Sequence, residues 1–560
     1  MKEKIIYHIT EALKTLGIEH ADFDVEHPNN RATHGDFSTN VALVCSKSKG
    51  KNPRYFAEEI VAELRGRISY IEKLEIAGPG FINFHLARDF FAQQIERIIS
   101  NGDVRGSSTE GAGEVILFEY TSPNLFKPLH VGNLVGNIIG EAVSRLLENT
   151  GATVHRINYP SDIGLTVAKG VWGLLETSGD PNNIQALGEA YRYGNEKYEN
   201  DTKAKTAIEE VNRSLYSGAD QKLQELRAKG IATSRARLFD LCRMLGTKFD
   251  IEIFESEASP IGKSIVQKNI GNVFAESAGA VVFEGEQLGL HTRVFLNSQG
   301  LPTYEAKDIG NFALKQQKYP DWTQSFVVTG SEQTEYFKVI HATIRKLFPN
   351  LSGKILEHIP TGFLTLNTGK MSSRKGNVLS GESLIDEVRQ SALSRAKETR
   401  VENIEELATQ IAVAALKYQI LRQKPGSDII FDKQRALSFE GDSGPYLQYT
   451  HARIVSVLEK AKNAGIIPST QHLPDTQYDI EHILCLFPEV VAIATRERAP
   501  HKIVGYLTEL AGSFNAFYAQ EKIVDKDDKF TPYKVAIAKT TRMTLKNGLY
   551  LLGIFAPDKM

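Results

Sequence analysis

The stretch TSPNLFKPLHVGNLVGNIIG, residues 121–140, places His130 between a turn built on Pro123 and Pro128 and the first turn of a helix. Helix N-termini expose unpaired backbone N–H groups to which phosphates bind, and an imidazole beside them adds a further polar contact. Gly132, Gly136 and Gly140 recur every fourth residue, so one stripe of that helix carries no side chains. Each glycine costs a helix about 1 kcal/mol relative to alanine, so a stripe of them demands a reason. Two readings fit. The stripe lets a phosphate-bearing ligand approach closely, or it serves helix-to-sheet packing while His130 merely closes a loop. It is not a dinucleotide fingerprint, whose glycines sit in the strand-to-helix turn and not inside the helix.

A second candidate is TGKMSSRKGNVLS, residues 368–380, where Lys370, Arg374 and Lys375 alternate with Gly369, Ser372, Ser373 and Gly376 ahead of a helical GESLIDEV. Small residues interleaved with cations suit a loop that closes over phosphates and neutralises charge developing in a transition state. A solvated surface loop has the same composition.

The surrounding pattern supplies a scaffold for both stretches. EVILFEY reads as a strand, NLVGNIIGEAVSRLLENTG as a helix closed by Gly151, and ATVHRINY as a second strand. Strand, loop, long helix and strand make a βαβ unit of a largely parallel sheet. The next hundred residues are polar and helix-rich, as expected of an insertion or a helical connection, and AVVFEGE, TRVFLN and SFVVTG resume short strands up to about residue 330. The amphipathic TEYFKVIHATIRKLF packs after them, and beyond about residue 381 the pattern is almost wholly helical. Ahead of all this, helical periodicity over 2–16, 54–66 and RDFFAQQIERIIS brackets a strand pair around Gly-Pro-Gly in KLEIAGPGFINFHL, an α+β module followed by the polar segment 101–114.

With 560 residues and 41% hydrophobic content, the chain can bury several cores. Its 66 Lys and Arg balance 68 Asp and Glu, so no global basic field announces nucleic acid, and any such contact rests on local patches. Cys45, Cys242 and Cys485 are widely spaced, which fits a reducing compartment and argues against a structural zinc. The N-terminus MKEKIIYHITEALKTLG has neither a signal-peptide core nor the acid-free composition of a presequence, and no apolar run is long enough to span a bilayer. A cytoplasmic protein is expected.

PLHVGN and GKMSSRKGN, in this order and about 240 residues apart, resemble the paired signatures of class I aminoacyl-tRNA synthetases. FEYTSPNLFKPLHVG, HGDFSTNVAL, AGPGFINFHL, TYEAKDIG, SGPYLQYTHARIVSVL and the chain end LKNGLYLLGIFAPDKM narrow the resemblance to the arginyl-tRNA synthetase family, over essentially the full chain. The resemblance implies an α/β fold with a Rossmann-like catalytic domain over 111–380 and a helical insertion around 170–260. It also implies a small N-terminal α+β domain over 1–110 that touches the tRNA elbow, a helical connection over 381–430, and an all-helical anticodon-binding domain over 431–560. The implied reaction activates L-arginine with ATP to arginyl-adenylate and transfers it to the 3′ end of tRNA(Arg), with Mg2+ carried by the ATP, no structural metal, and a monomeric protein.

Carried onto this sequence, the resemblance gives catalytic roles to Lys127, His130, Lys370 and Lys375, and ATP contacts to His130, Gly132, Asn133, Lys370, Met371, Ser372 and Ser373. Ser373 and Arg374 stand where the general motif has lysine and serine, and Lys127 could supply the cation that position 373 lacks. Asn133 stands where the family usually has histidine. Asparagine still donates a hydrogen bond but cannot become a cation. Glu119 and Asp308 are expected on the planar guanidinium, whose five donors carboxylates complement best, with Tyr304 one helical turn before Asp308. Ser122, Asn124 and Gln333 are expected on the amino and carboxylate ends of arginine. YPSDIGLTVAKG, 159–170, resembles the pocket floor through Asp162 and Gly164, with Ile163 and Thr166 departing from the pattern. For tRNA the candidates are Lys539, Arg542 and Lys546 at i, i+3, i+7 on one helix, and Tyr446, Tyr449 and Arg453, with Gln448 and His451 beside them. Phe37, Asn40, Phe81 and Asn83 are candidates in the N-terminal module, for tRNA contact or for supporting that surface. A cysteine-specific relative would want a zinc-binding cysteine cluster, and a glutamate-specific one basic residues in place of Glu119 and Asp308. An idle RNA-binding paralogue has only Asn133 in its favour.

Overall fold

The strand Val115–Glu119 is apolar on both faces, as a strand covered by helices on either side must be, and it forms the centre of a five-stranded parallel sheet. The computed structural model describes residues 1–28, 31–102, 106–367, 380–396 and 403–560. The sheet runs in the order Ile355–Thr361, Gln324–Gly330, Val115–Glu119, Thr153–Asn158, Ile251–Glu252, with every pairing parallel. The helix Val131–Glu148 crosses from the central strand to Thr153–Asn158, which is the expected βαβ unit. From the central strand the chain winds first to one side and later to the other. Its C-terminal end is therefore the switch point, where open α/β sheets bind ligands.

Two expected strands, Ala280–Phe283 and Arg293–Leu296, do not join this sheet. They pair antiparallel with each other, and Ala275–Ser277 completes a separate three-stranded sheet. Ala278 and Gly279 both have positive φ, 48° and 79°, the geometry of a two-residue hairpin turn that matches strand twist, so local pairing wins. Within the region expected to be helical, Ile429–Phe431 pairs parallel with Leu364–Leu366. Three residues are too few for periodicity to reveal.

The helix Val131–Glu148 is buried on most sides, through Leu134, Val135, Ile138, Ile139, Val143 and Leu146 among others. Each such side chain contributes about 1.5–3 kcal/mol. Its last turn is gripped as well. Arg145 donates to the carbonyls of Tyr550 at 3.0 Å and Gly246 at 2.9 Å. The fully buried Lys417 donates to those of Leu245 at 2.6 Å and Gly553 at 2.7 Å. These cations satisfy carbonyls at or just beyond the C-terminal ends of the helices Gln221–Leu245 and Thr531–Leu551, where unpaired acceptors and the helix dipole favour positive charge. The helices Leu165–Thr177, Ile184–Asn200, Thr202–Ser217 and Gln221–Leu245 form the insertion, with a core of their own into which Leu125 and Phe126 dock.

By internal contacts the chain divides into two compact units. One contains Asp103–Ser456, Phe487–Asn515 and Arg542–Met560, and includes the parallel sheet. The other contains Met1–Gly102, Val457–Leu486 and Ala516–Thr541. In the latter, an antiparallel sheet in the order Val25–Glu26, Phe37–Thr39, Phe81–Leu86, Ile71–Ala77 packs with the helices Lys2–Thr15 and Pro53–Leu64 around a core that includes Ile5, Phe56 and Phe84. Arg88 makes a two-pronged ion pair with the buried Glu481, which also accepts a 2.9 Å hydrogen bond from the Tyr533 hydroxyl.

Candidate active site

At the switch point lies a cleft of about 280 Å³. Thr121, Ser122 and Asn124 line it from the loop after the central strand, and Val328, Thr329 and Gly330 from the end of Gln324–Gly330. His130, Gly132, Asn133 and Gly136 line it from the crossover helix, with Gln333 opposite. Six sequence candidates, Ser122, Asn124, His130, Gly132, Asn133 and Gln333, therefore face one space.

His130 is the N-cap of the crossover helix, and its Nδ1 accepts a 3.1 Å hydrogen bond from the Gly132 N–H. An accepting Nδ1 leaves the proton on Nε2, so the ring offers a neutral donor. Desolvation, and then the charge of Lys127, hold its pKa below the ordinary value, which favours that neutral state. The glycines of the stripe have different surroundings. A methyl group at Gly136 would meet nothing within 4 Å, so this position faces the open cleft. One at Gly140 would come within 2.4 Å of the Tyr120 ring, so this position packs helix against strand end.

The loop between strand and helix is strained. Thr121 and Ser122 have φ of 76° and 38°, a region that costs non-glycine residues about 1–3 kcal/mol each. It is held by hydrogen bonds. Asn133 Nδ2 donates to the Thr121 carbonyl at 2.8 Å, and Asn137 Nδ2 to the Thr121 hydroxyl at 2.9 Å. Leu125 and Ser161 lace the loop to the segment after Thr153–Asn158 through Leu125 N–H to the Ser161 carbonyl and Ser161 N–H to the Pro123 carbonyl. The buried Ser122 hydroxyl has no hydrogen-bond partner among the described residues, and Ser122 lines the cleft.

Glu119, Tyr304 and Asp308 gather apart from the lining of this cleft, around the helix Tyr304–Lys318. Asp308, Asn311 and Lys315 share one face of that helix at i, i+3, i+7. The face meets Glu119: Asn311 Nδ2 donates to Glu119 Oε2 at 2.8 Å, and Lys315 forms a buried ion pair with the same oxygen. Asp308 accepts a 2.6 Å hydrogen bond from the Tyr336 hydroxyl. It makes no ion pair among the described residues. Desolvation, with the nearby carboxylates Glu119 and Glu255, pushes its pKa up to about 7. Tyr159 is buried, and its hydroxyl has no hydrogen-bond partner among the described residues. Burial and the charges of Asp308, Glu255, Glu119 and Asp162 raise its pKa well above the ordinary value. Lys307 neutralises Glu255 at 2.7 Å, and its Nζ lies 5.1 Å from the centre of the exposed Tyr304 ring. Glu119 and Glu255 thus each have a lysine, while the half-buried Asp308 has no cation of its own among the described residues, and a ligand bringing positive charge would balance it.

Sequence reasoning missed Tyr159, Glu255, Lys307, Asn311, Lys315 and Tyr336. For Asn311 and Lys315 a signal existed, their helical spacing from Asp308, but it marks a face without saying what the face meets. Asp162 is held by Arg227 and by Ser256, whose N–H and hydroxyl donate at 2.9 and 2.7 Å, so within 159–170 it ties the floor to the insertion. Lys127 is absent from the cleft lining and lies 6.0 Å from the centre of the Tyr191 ring, with burial lowering its pKa.

The basic stretch 368–380 lies, up to residue 379, outside the described residues, and with it Lys370, Met371, Ser372, Ser373, Arg374 and Lys375. Its last residue is placed: Ser380 forms an antiparallel backbone bridge with His130. Among the tRNA candidates, Tyr446 and Arg453 both bond Asn515, at 2.9 and 2.8 Å, and Arg453 lies over the exposed Tyr449 ring at 4.9 Å. Lys539, Arg542 and Lys546 fall on the helix Thr531–Leu551, where Lys546 is exposed and the other two half-buried. Gln448 and His451 do not face outward. Both are fully buried and hydrogen-bond the carbonyls of Phe555 at 2.8 Å and Pro557 at 2.9 Å, as buried polar groups must find partners. Phe37 and Asn83 are likewise buried, whereas Phe81 is exposed.

A parallel sheet with its ligand cleft at the switch point, a glycine-striped helix capped by the first signature, and the residue Ser380, just after the second signature, paired with that cap define a class I aminoacyl-tRNA synthetase. The family model described as tRNA synthetases class I (R), catalytic domain, matches residues 94–433. The Arginyl tRNA synthetase N terminal domain matches residues 3–86, and the DALR anticodon binding domain residues 447–560. An arginine–tRNA ligase of Halothermothrix orenii is 29% identical over 100% of this chain and 99% of its own length. One of Lactococcus lactis is 30% identical over 97% of each. The crystal structure of the Thermus thermophilus arginyl-tRNA synthetase superposes with a TM-score of 0.80 at 26% identity, covering all of both chains. The chain belongs to the arginyl-tRNA synthetase family: it is an ATP-dependent ligase that activates arginine and transfers it to tRNA(Arg).

Proposed function

We propose that the cleft at the switch point takes ATP, and that the carboxylate cluster around the helix Tyr304–Lys318 takes the side chain of arginine, with the strained loop between them. The observation that carries this reading is the half-buried Asp308 near Glu119, which among the described residues has no cation of its own: a planar guanidinium would supply that charge. Tyr304, exposed at the start of the same helix, would cover the guanidinium with its ring. Ser122, Asn124 and Gln333 line the cleft and would hold the amino and carboxylate ends of arginine.

In the first step the arginine carboxylate attacks the α-phosphorus of ATP in line, and pyrophosphate leaves. A carboxylate is already a nucleophile, so no general base is needed, and positioning with charge stabilisation carries the step. His130 Nε2–H would donate to the phosphates, and Gly132 and Gly136 leave room for the nucleotide. Lys127, Lys370 and Lys375 would neutralise charge as it develops, with Met371, Ser372 and Ser373 closing over the nucleotide. Asn133 borders the same cleft. Mg2+ enters on the phosphates of ATP; among the described residues no group of three or more His, Cys, Asp or Glu is placed to hold a metal. In the second step the terminal ribose hydroxyl of tRNA attacks the activated carbonyl, and AMP leaves.

For tRNA, we assign the elbow to residues 1–110, the chemistry to 111–380, a connection to 381–430 and the anticodon to 431–560. Tyr446, Tyr449, Arg453, Lys539, Arg542 and Lys546 are the candidate contacts. A monomer working in the cytoplasm completes the reading, and no helix among the described residues is long and apolar enough to cross a membrane.

Pyrophosphate exchange across the twenty amino acids, with and without tRNA, tests the assignment. Exchange is expected with arginine alone. Lysine leaves acceptors unmet, and citrulline sets a carbonyl against a carboxylate. Exchange with another amino acid refutes the side-chain assignment, and silence from folded protein favours an idle paralogue.

A further inference from the structure

We infer that Asn133 is a positioning residue for arginine: its amide holds the Thr121–Ser122 turn in the shape that receives the amino acid. This rests on the reading of Ser122 and Asn124 as arginine contacts. Thr121 and Ser122 both adopt left-handed φ, 76° and 38°, and for a β-branched threonine that conformation is intrinsically disfavoured. The turn is closed by the Ser122 N–H, which donates to the Tyr120 carbonyl at 3.1 Å, and it is gripped from the helix Val131–Glu148. Asn133 and Asn137 lie four residues apart, on one face of that helix, and both donate to the same residue. Asn133 reaches the Thr121 carbonyl at 2.8 Å, which the described residues supply with no other hydrogen bond, and Asn137 reaches the Thr121 hydroxyl at 2.9 Å. Asn137 is itself fixed from behind by Thr247, whose hydroxyl donates to its Oδ1 at 2.8 Å.

Released from Asn133, Thr121 relaxes toward extended backbone. The Ser122 hydroxyl, which has no partner among the described residues, then swings away, and Asn124 moves with the chain. The residue at the fourth signature position thus spends its donor on the loop that carries arginine, and only its other faces remain for the nucleotide.

The test varies arginine and ATP separately in pyrophosphate exchange by the full-length protein with tRNA(Arg) present. Asn133→Ala is expected to raise the arginine KM about ten-fold, and at least about five-fold more than the ATP KM. Asn133→His, whose ring N–H can reach the same carbonyl, brings the arginine KM back to within about three-fold of the unsubstituted protein. Thr121→Gly frees the turn from the steric demand, so adding Asn133→Ala to it changes the arginine KM less than about two-fold. Equal rises in both KM values, a rise for ATP alone, a histidine variant no better than alanine, or full sensitivity in the glycine background overturns the proposal. Failure of the unsubstituted protein to exchange with arginine overturns the functional reading beneath it. The pattern among active variants judges Asn133 alone.

Discussion

The backbones of His130 and Ser380 pair in an antiparallel bridge, and beside it the Gly381 N–H donates to the Leu129 carbonyl at 2.7 Å. At the other end of the basic stretch, the Asn367 N–H donates to the Phe431 carbonyl at 3.1 Å, and its side-chain amide to Asp432 at 2.9 Å. Ser380 and Gly381, which follow the second signature in sequence, thus pair with the N-cap of the helix Val131–Glu148.

Lys127 precedes that cap on the same loop. If it supplies the cation that Ser373 cannot, Lys127→Ala lowers the rate of adenylate formation about 10- to 100-fold while the arginine KM stays within about two-fold. Single-turnover mixing with ATP and arginine measures this directly. An unchanged rate refutes the compensation.

Asp308→Asn keeps the size and the Tyr336 contact but removes the charge offered to the guanidinium. The arginine KM is expected to rise about 10- to 100-fold, with the ATP KM little changed, because a charge-assisted bond becomes a neutral one. Steady-state exchange kinetics separate the two constants.

The same carboxyl predicts a pH dependence. Its pKa stands near 7 in the free protein, whereas a bound guanidinium favours the charged form, so binding releases a proton wherever Asp308 begins protonated. Arginine affinity therefore falls as pH drops from 7 toward 5, approaching about ten-fold per unit, and Asp308→Asn flattens the profile. Calorimetry at pH 7 in two buffers of different ionisation enthalpy should find about half a proton released per arginine.

The glycine stripe separates two roles that one substitution each can distinguish. Gly136→Ala adds a methyl group to open space in a helix, so the melting temperature holds or rises while the ATP KM increases several-fold. Gly140→Ala drives a methyl group into the Tyr120 ring, so stability drops by about 1–3 kcal/mol. Thermal melts with ATP titrations decide between them.

Elements with a long, strong pattern were legible: the βαβ unit at 115–158, the helix-rich insertion and the amphipathic helix Thr334–Leu347. What escaped was short or paired through space. Ile429–Phe431 is three residues long, and the hairpin at Ala278 and Gly279 joins Ala280–Phe283 to the equally short Ala275–Ser277 in a sheet apart from the parallel one. Gln448 and His451 read as nucleic-acid contacts because their types suit RNA, yet their orientation is set by the chain end they hold.

The order and chemistry of residues along the chain were enough to determine the family and the reaction, because signature loops and helix caps are local and keep their residue types wherever they fold. Only the tertiary structure decided what meets what. Helix register brings Asp308, Asn311 and Lys315 to Glu119, and one turn of helix sends Gly136 to the cleft and Gly140 to Tyr120. The amide of Asn133 reaches Thr121 across a loop. Burial, charge balance and hydrogen-bond partnership are properties of neighbours in space, and spacing along a sequence does not specify them.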